Sequence, residues 1–116
     1  MNLGKYYLAL NVSDIAASKE FYEKLGYTAD PNCGGVEQRW MIMTTPGHES
    51  VIGLYQGMFP KNTITFNPTD ARALHKELEG NGMSFVTAAG IENESGPCHF
   101  MLTDPDGNPV LVDQHF

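Results

Sequence analysis

The sequence predicts an α+β protein built from two βαβββ halves. The main observation is a weak internal repeat, in which residues 11–28 resemble residues 67–84, 56 positions later in a chain of 116 residues. Both copies contain a strand end, an acidic residue, an amphipathic stretch, a glycine and a strand start, in that order. A period near half the chain indicates two copies of one supersecondary unit, too few for a solenoid.

The first half begins with alternating apolar and polar residues over 5–12, which is typical of a half-buried strand. Ser13 or Asp14 can cap the helix that follows, and Gly26 lies where a C′ glycine ends a helix. The residues spaced along one face of this helix are Ile15, Ser18, Phe21, Tyr22 and Leu25. Three strands are predicted next, at about residues 27–33, 36–44 and 49–56.

The second half follows the same plan. A strand over residues 63–67 precedes a helix that Thr69 or Asp70 can cap and that Gly80-Asn81-Gly82 ends. The inward residues of this helix are Ala71, Leu74 and Leu78. Strands are predicted near residues 83–88, 97–103 and 109–114, and the turn 104–108 joins the last two through Asp, Pro, Gly and Asn residues.

The two faces of the predicted strands differ in chemistry. An apolar set is expected to face the helices and comprises Leu8, Leu10, Val12, Ile64 and Phe66. The opposite set comprises Tyr7, Ala9, Asn11, Thr63, Thr65 and Asn67, with Gly53, Tyr55, Leu111, Asp113 and His115 from later strands. Because this second face is small, hydroxylated and mixed, we expect it to form a concavity rather than a packed core.

The composition is that of one folded domain, and it excludes several classes of partner. Seven basic and fourteen acidic residues give a net charge of −7, and the basic residues do not cluster. A nucleic-acid or anionic-membrane surface is therefore not expected. No apolar run is long enough to span a bilayer, so we expect a cytoplasmic protein. In that compartment Cys33 and Cys98 are expected to be free thiols.

Three segments resemble the vicinal oxygen chelate superfamily, which includes glyoxalase I, bleomycin-resistance proteins and extradiol dioxygenases. They are Asn11–Tyr27, which contains Asn-Val-Ser-Asp-Ile and Leu-Gly-Tyr, then Val51–Leu54, and Leu102–Asn108 with its Asp-Pro-Asp-Gly turn. The resemblance covers nearly the whole chain. It implies a single domain over residues 1–116, with module one at about 1–57 and module two at about 58–116. It further implies an eight-stranded cupped mixed sheet, helices on its convex face and, usually, a homodimer.

The resemblance also implies where a metal would be held. Most enzymes of the superfamily bind a divalent ion inside the cup through His, Gln and Glu side chains. The matching positions here are Tyr7, Gly53, Thr63 and Leu111. Glycine and leucine have no donor atom, a threonine hydroxyl is a poor ligand, and neutral tyrosine seldom binds divalent ions. We therefore expect no metal and no cofactor at this site, and Gly53 is expected to leave room for a ligand.

Other residues offer alternative chemistry. His99, Asp113 and His115 could form a facial triad for iron or manganese. The simpler interpretation is that Asp113 and His115 lie at the rim of the sheet and hydrogen-bond a neighbouring chain or water. Cys98 is expected to be a buried small apolar group rather than a nucleophile. Met58 and Phe59, in the segment between the modules, could close a pocket or pack against a second subunit.

Three functional hypotheses follow. The first is a metal-independent binding protein that sequesters a small, partly aromatic or apolar molecule and dimerises. Its expected ligand-binding residues are Tyr7, Asn11, Trp40, Gly53, Tyr55, Thr63, Thr65, His99, Met101, Leu111 and Asp113. The second is a lyase, isomerase or dioxygenase relative that uses His99 with Asp113 or His115. The third is a structural dimer whose cup is merely filled.

Overall fold

The computed structural model describes residues Met1–Phe116 and confirms the α+β class. Its strands are β1 (Lys5–Val12), β2 (Thr28–Gly35), β3 (Trp40–Thr44), β4 (Val51–Gln56), β5 (Thr63–Asn67), β6 (Thr87–Ala89), β7 (Cys98–Thr103) and β8 (Pro109–Gln114). The helices are α1 (Ile15–Lys24) and α2 (Ala71–Gly80). The eight strands form a mixed sheet in the order β2-β3-β4-β1-β5-β8-β7-β6. Neither helix has the length and apolar character needed to cross a membrane.

The chain divides into two compact units with the same internal plan. One unit is Tyr7–Thr63, and the other combines Met1–Tyr6 with Ile64–Phe116. In the first, β1 pairs in parallel with β4, and β4, β3 and β2 continue as an antiparallel run. In the second, β5 pairs in parallel with β8, and β8, β7 and β6 continue in the same way. The repeat in the sequence therefore corresponds to a repeated βαβββ arrangement.

The helices begin at equivalent aspartates. Asp14 caps α1 by accepting a hydrogen bond from the backbone N–H of Ala17 at 3.2 Å, and Asp70 caps α2 by accepting one from Ala73 at 3.0 Å. A side-chain oxygen at the N-cap satisfies an amide that has no partner within the helix. Of the two capping residues considered in each half, the aspartate is correct.

A glutamine at the end of the last strand of each unit also binds the start of the helix. Gln56 Oε1 accepts from the Ile15 N–H at 2.9 Å, and Gln114 Oε1 accepts from the Ala71 N–H at 2.8 Å. Gln114 is buried, and its Nε2 donates to the Gly96 carbonyl at 3.2 Å. Each helix is therefore attached at its first turn to the strand that ends its unit.

We expect Gln114→Ala to lower the free energy of unfolding by about 1–3 kcal/mol, because it leaves the buried Ala71 N–H without an acceptor. Gln56→Ala, the equivalent change in the other unit, is expected to cost less, because Gln56 is only half-buried. Urea denaturation followed by circular dichroism measures both. Equal losses in the two variants would contradict the idea that burial of Gln114 sets the size of the effect.

Two apolar clusters form the cores of the units. The cluster in Tyr7–Thr63 contains Ile15, Met41, Met43, Ile52 and Leu54, with Leu10, Val12 and Tyr22 packed against it. The cluster in the other unit contains Ala71, Leu74, Cys98, Phe100, Leu102 and Val112, with Leu78 and Val110 packed against it. Leu10 and Val12 confirm the predicted helix-facing side of β1, and Ala71, Leu74 and Leu78 confirm that of α2. In α1 the prediction is partly wrong, since Phe21 and Leu25 are 58% and 62% exposed.

Two predicted strands are shorter than expected because their first residues belong to turns. The Met83 N–H donates to the Leu78 carbonyl at 3.0 Å and closes the end of α2, with Gly82 at a φ of +83°. This C-terminal arrangement delays β6 until residue 87. Similarly, the Arg39 N–H donates to the Val36 carbonyl at 3.1 Å, so β3 begins only at residue 40.

Candidate functional site

Gly53 in β4 lies beneath two tyrosine rings of its own unit. A Cβ added to Gly53 would lie 2.6 Å from Cε2 of Tyr55 and 2.8 Å from Cε2 of Tyr7. The hydroxyl oxygens of these tyrosines are 2.8 Å apart and share a hydrogen bond. The expectation that Gly53 leaves free room for a ligand is therefore wrong, because the two rings take up the space that the missing side chain would need.

An aromatic wall, defined here as Trp40, Tyr55 and Phe59, continues from this pair. Trp40 and Tyr55 are direct partners on β3 and β4, and their rings are nearly parallel, at 9°, with centroids 6.3 Å apart. Phe59 meets Tyr55 edge-on, with centroids 5.0 Å apart and an interplanar angle of 82°. All three side chains are half-buried, so each retains accessible ring surface.

The remaining predicted residues of this unit occupy the same strands. Asn11 is the partner of Tyr55 across β1 and β4 and is exposed. Thr63 is 1% exposed, and its Oγ1 donates to the Lys61 carbonyl at 3.0 Å. Asn11 is thus available to a molecule bound at the aromatic wall, whereas the hydroxyl proton of Thr63 is already used within the chain.

In the other unit, three predicted residues form one row across neighbouring strands. Leu111 on β8 is the partner of Thr65 on β5 and of Met101 on β7. Thr65 and Leu111 are buried, and Met101 is half-buried. Of this row, Met101 offers the accessible apolar surface.

A polar cluster occupies the next row of the same unit. His99 on β7 is the direct partner of Asp113 on β8. The Asp113 Oδ2 lies 3.2 Å from Nε2 of His115, and the Asn67 Nδ2 donates to the Asp113 carbonyl at 3.0 Å and lies 3.2 Å from the same His115 nitrogen. The sequence singled out His99, Asp113 and His115, and the structure places them close together.

This cluster is not arranged as a metal site. No group of three or more His, Cys, Asp or Glu side chains in the protein is placed to hold a metal ion. The facial triad of His99, Asp113 and His115 that the sequence offered as an alternative is therefore not formed. The reason is local, since Nε2 of His115 lies against the Asp113 carboxylate and the Asn67 amide. Asn67 instead hydrogen-bonds to both the Asp113 carbonyl and the His115 ring at the end of the strand.

The two cysteines are free thiols, as expected. Cys98 is buried, and burial raises the pKa of its thiol; the charge of Arg72 acts in the opposite direction, and those of Asp70 and Asp113 raise the pKa further. Burial and then the hydrogen bond to Asp30 raise the pKa of the Cys33 thiol. Because the thiolate is the nucleophile, neither cysteine is activated at neutral pH.

The model of the Glyoxalase/Bleomycin resistance protein/Dioxygenase superfamily matches residues 6–112. The chain belongs to this superfamily. No curated protein matches the sequence. Among solved structures, a superfamily member from Vibrio splendidus 12B01 is 15% identical, with a TM-score of 0.67 and coverage of 95% of this chain and 97% of that one.

Enzymes of the superfamily have similar folds. Methylmalonyl-CoA epimerase from Mycobacterium tuberculosis is 15% identical, with a TM-score of 0.69 and coverage of 95% of this chain and 86% of that one. The Mn(II)-bound glyoxalase from Novosphingobium aromaticivorans is 21% identical, with a TM-score of 0.57 and coverage of 93% of this chain and 37% of that one. At these identities the likeness concerns the fold alone.

The residues that the sequence resemblance matches to the superfamily's metal positions offer no side chain that suits a divalent ion. Gly53 and Leu111 have no donor atom, and the Tyr7 hydroxyl is hydrogen-bonded to another tyrosine. Thr63 is a neutral hydroxyl that donates to a backbone carbonyl. Divalent ions in proteins are held by carboxylates, imidazoles or thiolates, and none of these stands at the four positions.

Proposed function

We propose that this protein binds a small, partly aromatic molecule without a metal ion, in the manner of a sequestering or carrier protein. The observation that carries the proposal is the hydrogen-bonded pair of Tyr7 and Tyr55 hydroxyl groups, whose rings lie against Gly53. Tyr7 and Gly53 are two of the positions at which metal-dependent relatives are expected to hold their ion. Tyrosine hydroxyl groups can orient a ligand by hydrogen bonds, whereas the side chain of Gly53 offers no ligand atom to a cation.

The aromatic wall supports a flat ligand. Parallel Trp40 and Tyr55 rings with a perpendicular Phe59 offer both ring faces and ring edges at one place. Aromatic molecules gain from stacked and edge-to-face contacts beyond the burial of area. Asn11, exposed beside Tyr55, adds an amide that can donate and accept.

Trp40 also allows the proposal to be tested, because it is the only tryptophan and gives a single indole N–H signal in NMR spectra. Titration with quinoline or 2-naphthol is expected to shift this signal saturably, and EDTA is expected to leave the affinity unchanged. Trp40→Leu is expected to weaken binding by about 10-fold to 100-fold, measured through the amide signals of Gly53 and Tyr55, because it removes the largest stacking surface.

Phe116→Leu provides the matched control, since Phe116 is 70% exposed and lies in the other unit. This variant should bind the probes as the unchanged protein does. Binding that requires an added divalent ion, or equal losses in Trp40→Leu and Phe116→Leu, would refute the proposed function.

A second candidate function is an enzymatic one, favoured by the pairing of His99 with Asp113 on adjacent strands. A histidine beside a carboxylate can serve as a general base. In this case the polar cluster, rather than the aromatic wall, would meet the substrate. Proton exchange of an added 2-methyl-branched thioester, lost in His99→Ala and retained in Trp40→Leu, would favour this candidate over the first.

The assembly and the location of the protein belong to the same proposal. We expect a cytoplasmic homodimer whose partners are small molecules rather than nucleic acid or membrane. The net charge of −7 without a basic cluster supports the exclusion of nucleic acid. A dimer with a filled interior and no ligand, the third hypothesis, would show no saturable change with either probe.

A further inference from the structure

A cavity of about 400 Å³ lies in the unit Tyr7–Thr63, on the side of its strands that faces α1. Leu10 and Val12 line it from β1, and both also pack against the apolar cluster beneath α1. Because side chains alternate along a strand, this side is opposite to the one that carries Tyr7. None of the residues of the aromatic wall lines the cavity, although Asn11, the strand partner of Tyr55, does.

The internal repeat explains why the cavity exists. Ser18, which lines the cavity on α1, is equivalent to Leu74 on α2, 56 positions later. Leu74 is 5% exposed and fills the space between its helix and the sheet. A serine is several methyl groups smaller than a leucine, so the first unit lacks apolar volume at this position. At this position the first copy has a serine that lines the cavity, and the second has a leucine that packs in its apolar cluster.

A second difference between the copies lies at the edge of the same cavity. Phe21 is 58% exposed, whereas the equivalent residue of α2 is Glu77, an ordinary exposed charge. Phe21 meets Tyr22 edge-on, with ring centroids 5.1 Å apart, and both rings line the cavity. Packing within the unit does not require an exposed phenylalanine, but a ring-bearing ligand would use one.

The polar groups of the cavity are neutral. Asn62 Oδ1 accepts from the Asn11 N–H at 2.9 Å, which leaves the Nδ2 hydrogens of Asn62 as donors. Ser18 adds a hydroxyl. No charged side chain lines the cavity, so an ion would find no partner there, whereas a carbonyl oxygen would find donors.

We propose that this cavity is a second small-molecule site, which takes a neutral aromatic carbonyl compound such as an aryl amide. The ring of the ligand would contact Phe21 and Tyr22, and its carbonyl would accept from Asn62. A volume of about 400 Å³ suits a small organic molecule rather than a protein segment. The site shares Asn11 with the proposed function but none of the three residues of the aromatic wall, so binding at one site can be measured apart from binding at the other.

The test uses benzamide, acetanilide and phenylacetamide as probes, each titrated into the ¹⁵N-labelled protein up to its solubility limit. At least one is expected to shift the amide signals of Ser18, Phe21 and Asn62 saturably. Ser18→Leu, which introduces the residue of the other copy, is expected to weaken this binding by about tenfold or more, because the leucine occupies the ligand's volume.

Ala16→Leu is the matched control, because it adds the same side chain to an exposed position of α1 outside the cavity. It should leave probe binding unchanged. Phe21→Glu, which introduces the residue found at the equivalent position of α2, should reduce binding as well. This second variant keeps the test decisive if Ser18→Leu fails to fold. The proposal is overturned if no probe shifts these signals, or if the shifts appear only at Trp40. The proposal is also overturned if the Phe21 signals broaden when the protein concentration is raised without any probe. Such broadening would indicate that a second copy of the chain binds this surface.

Discussion

Replacement of Gly53 by glutamate is expected to lower the free energy of unfolding by about 3–5 kcal/mol, without creating a metal site. Any Cβ at this position would lie less than 3.0 Å from the rings of both Tyr55 and Tyr7. The rings can move only by giving up the hydrogen bond between their hydroxyls. The carboxylate would then lie at a buried position with two phenols and no cation beside it.

Gly53→Ala separates the steric cost from the cost of the charge. It is expected to lose about 1–3 kcal/mol, the usual effect of overpacking. Gly80→Glu is the matched control, because Gly80 ends α2 with nothing within 4 Å of an added Cβ. That variant should lie within about 0.5 kcal/mol of the unchanged protein. Urea denaturation supplies the free energies.

Metal content completes this experiment. Gly53→Glu protein purified without chelator, and then equilibrated with Mn²⁺ or Zn²⁺, should retain neither after desalting. Stoichiometric metal in this variant, accompanied by a gain in stability, would show that the four superfamily positions still form a site. In that case the metal-independent proposal would have to be abandoned.

Truncation of Phe100 to alanine is expected to cost about 3–5 kcal/mol, the range for a fully buried phenylalanine. Phe100 is 0% exposed and lies edge-on to the rings of Phe85 and His75, with centroids 5.2 and 5.3 Å away. The cavity left behind would face a stacked pair, since Phe85 and His75 are 4.1 Å apart at an angle of 16°. The rings of Phe85 and His75 are expected to move little into this cavity, so most of the lost packing energy is not recovered.

Phe116→Ala is the control for this second variant, because Phe116 is 70% exposed and should change stability by less than about 0.5 kcal/mol. Amide hydrogen exchange measures where the loss occurs. Protection is expected to fall throughout α2, β7 and β8, which share the cluster around Phe100. A loss of less than about 1 kcal/mol would indicate that Phe100 is not the centre of this cluster.

The sequence predicts most of the fold because the same local signals for strands and for helix ends occur in both halves of the chain. Asp14 and Asp70 cap equivalent helices at their N-termini. Gly26 and Gly82 follow the ends of these helices, and both have a positive φ. Alternation then sets the faces of each strand. The starts of β3 and β6 were less predictable. The residues before these two strands have a strand-like pattern. However, the amides of Arg39 and Met83 close turns by bonding to carbonyls three and five residues earlier.

The candidate site was only partly predictable. The residue types that the resemblance matches to the superfamily's metal positions could be predicted from the chain, since the side chains of glycine and leucine have no donor atom wherever they lie. The closure of Tyr7 over Gly53 could not, because it depends on two rotamers on strands 48 residues apart. The contact of Phe59 with Tyr55 could not be predicted either, because the sequence does not specify the direction of the segment that contains Phe59.

The glutamine attachments imply an order of events during synthesis. The amide of Ala71 has its acceptor on Gln114, which follows it by 43 residues. Until Gln114 has emerged from the ribosome, the start of α2 lacks this acceptor, whereas Ile15 can already bind Gln56 once the first half has emerged. The nascent protein can therefore complete the start of its earlier helix before that of its later one.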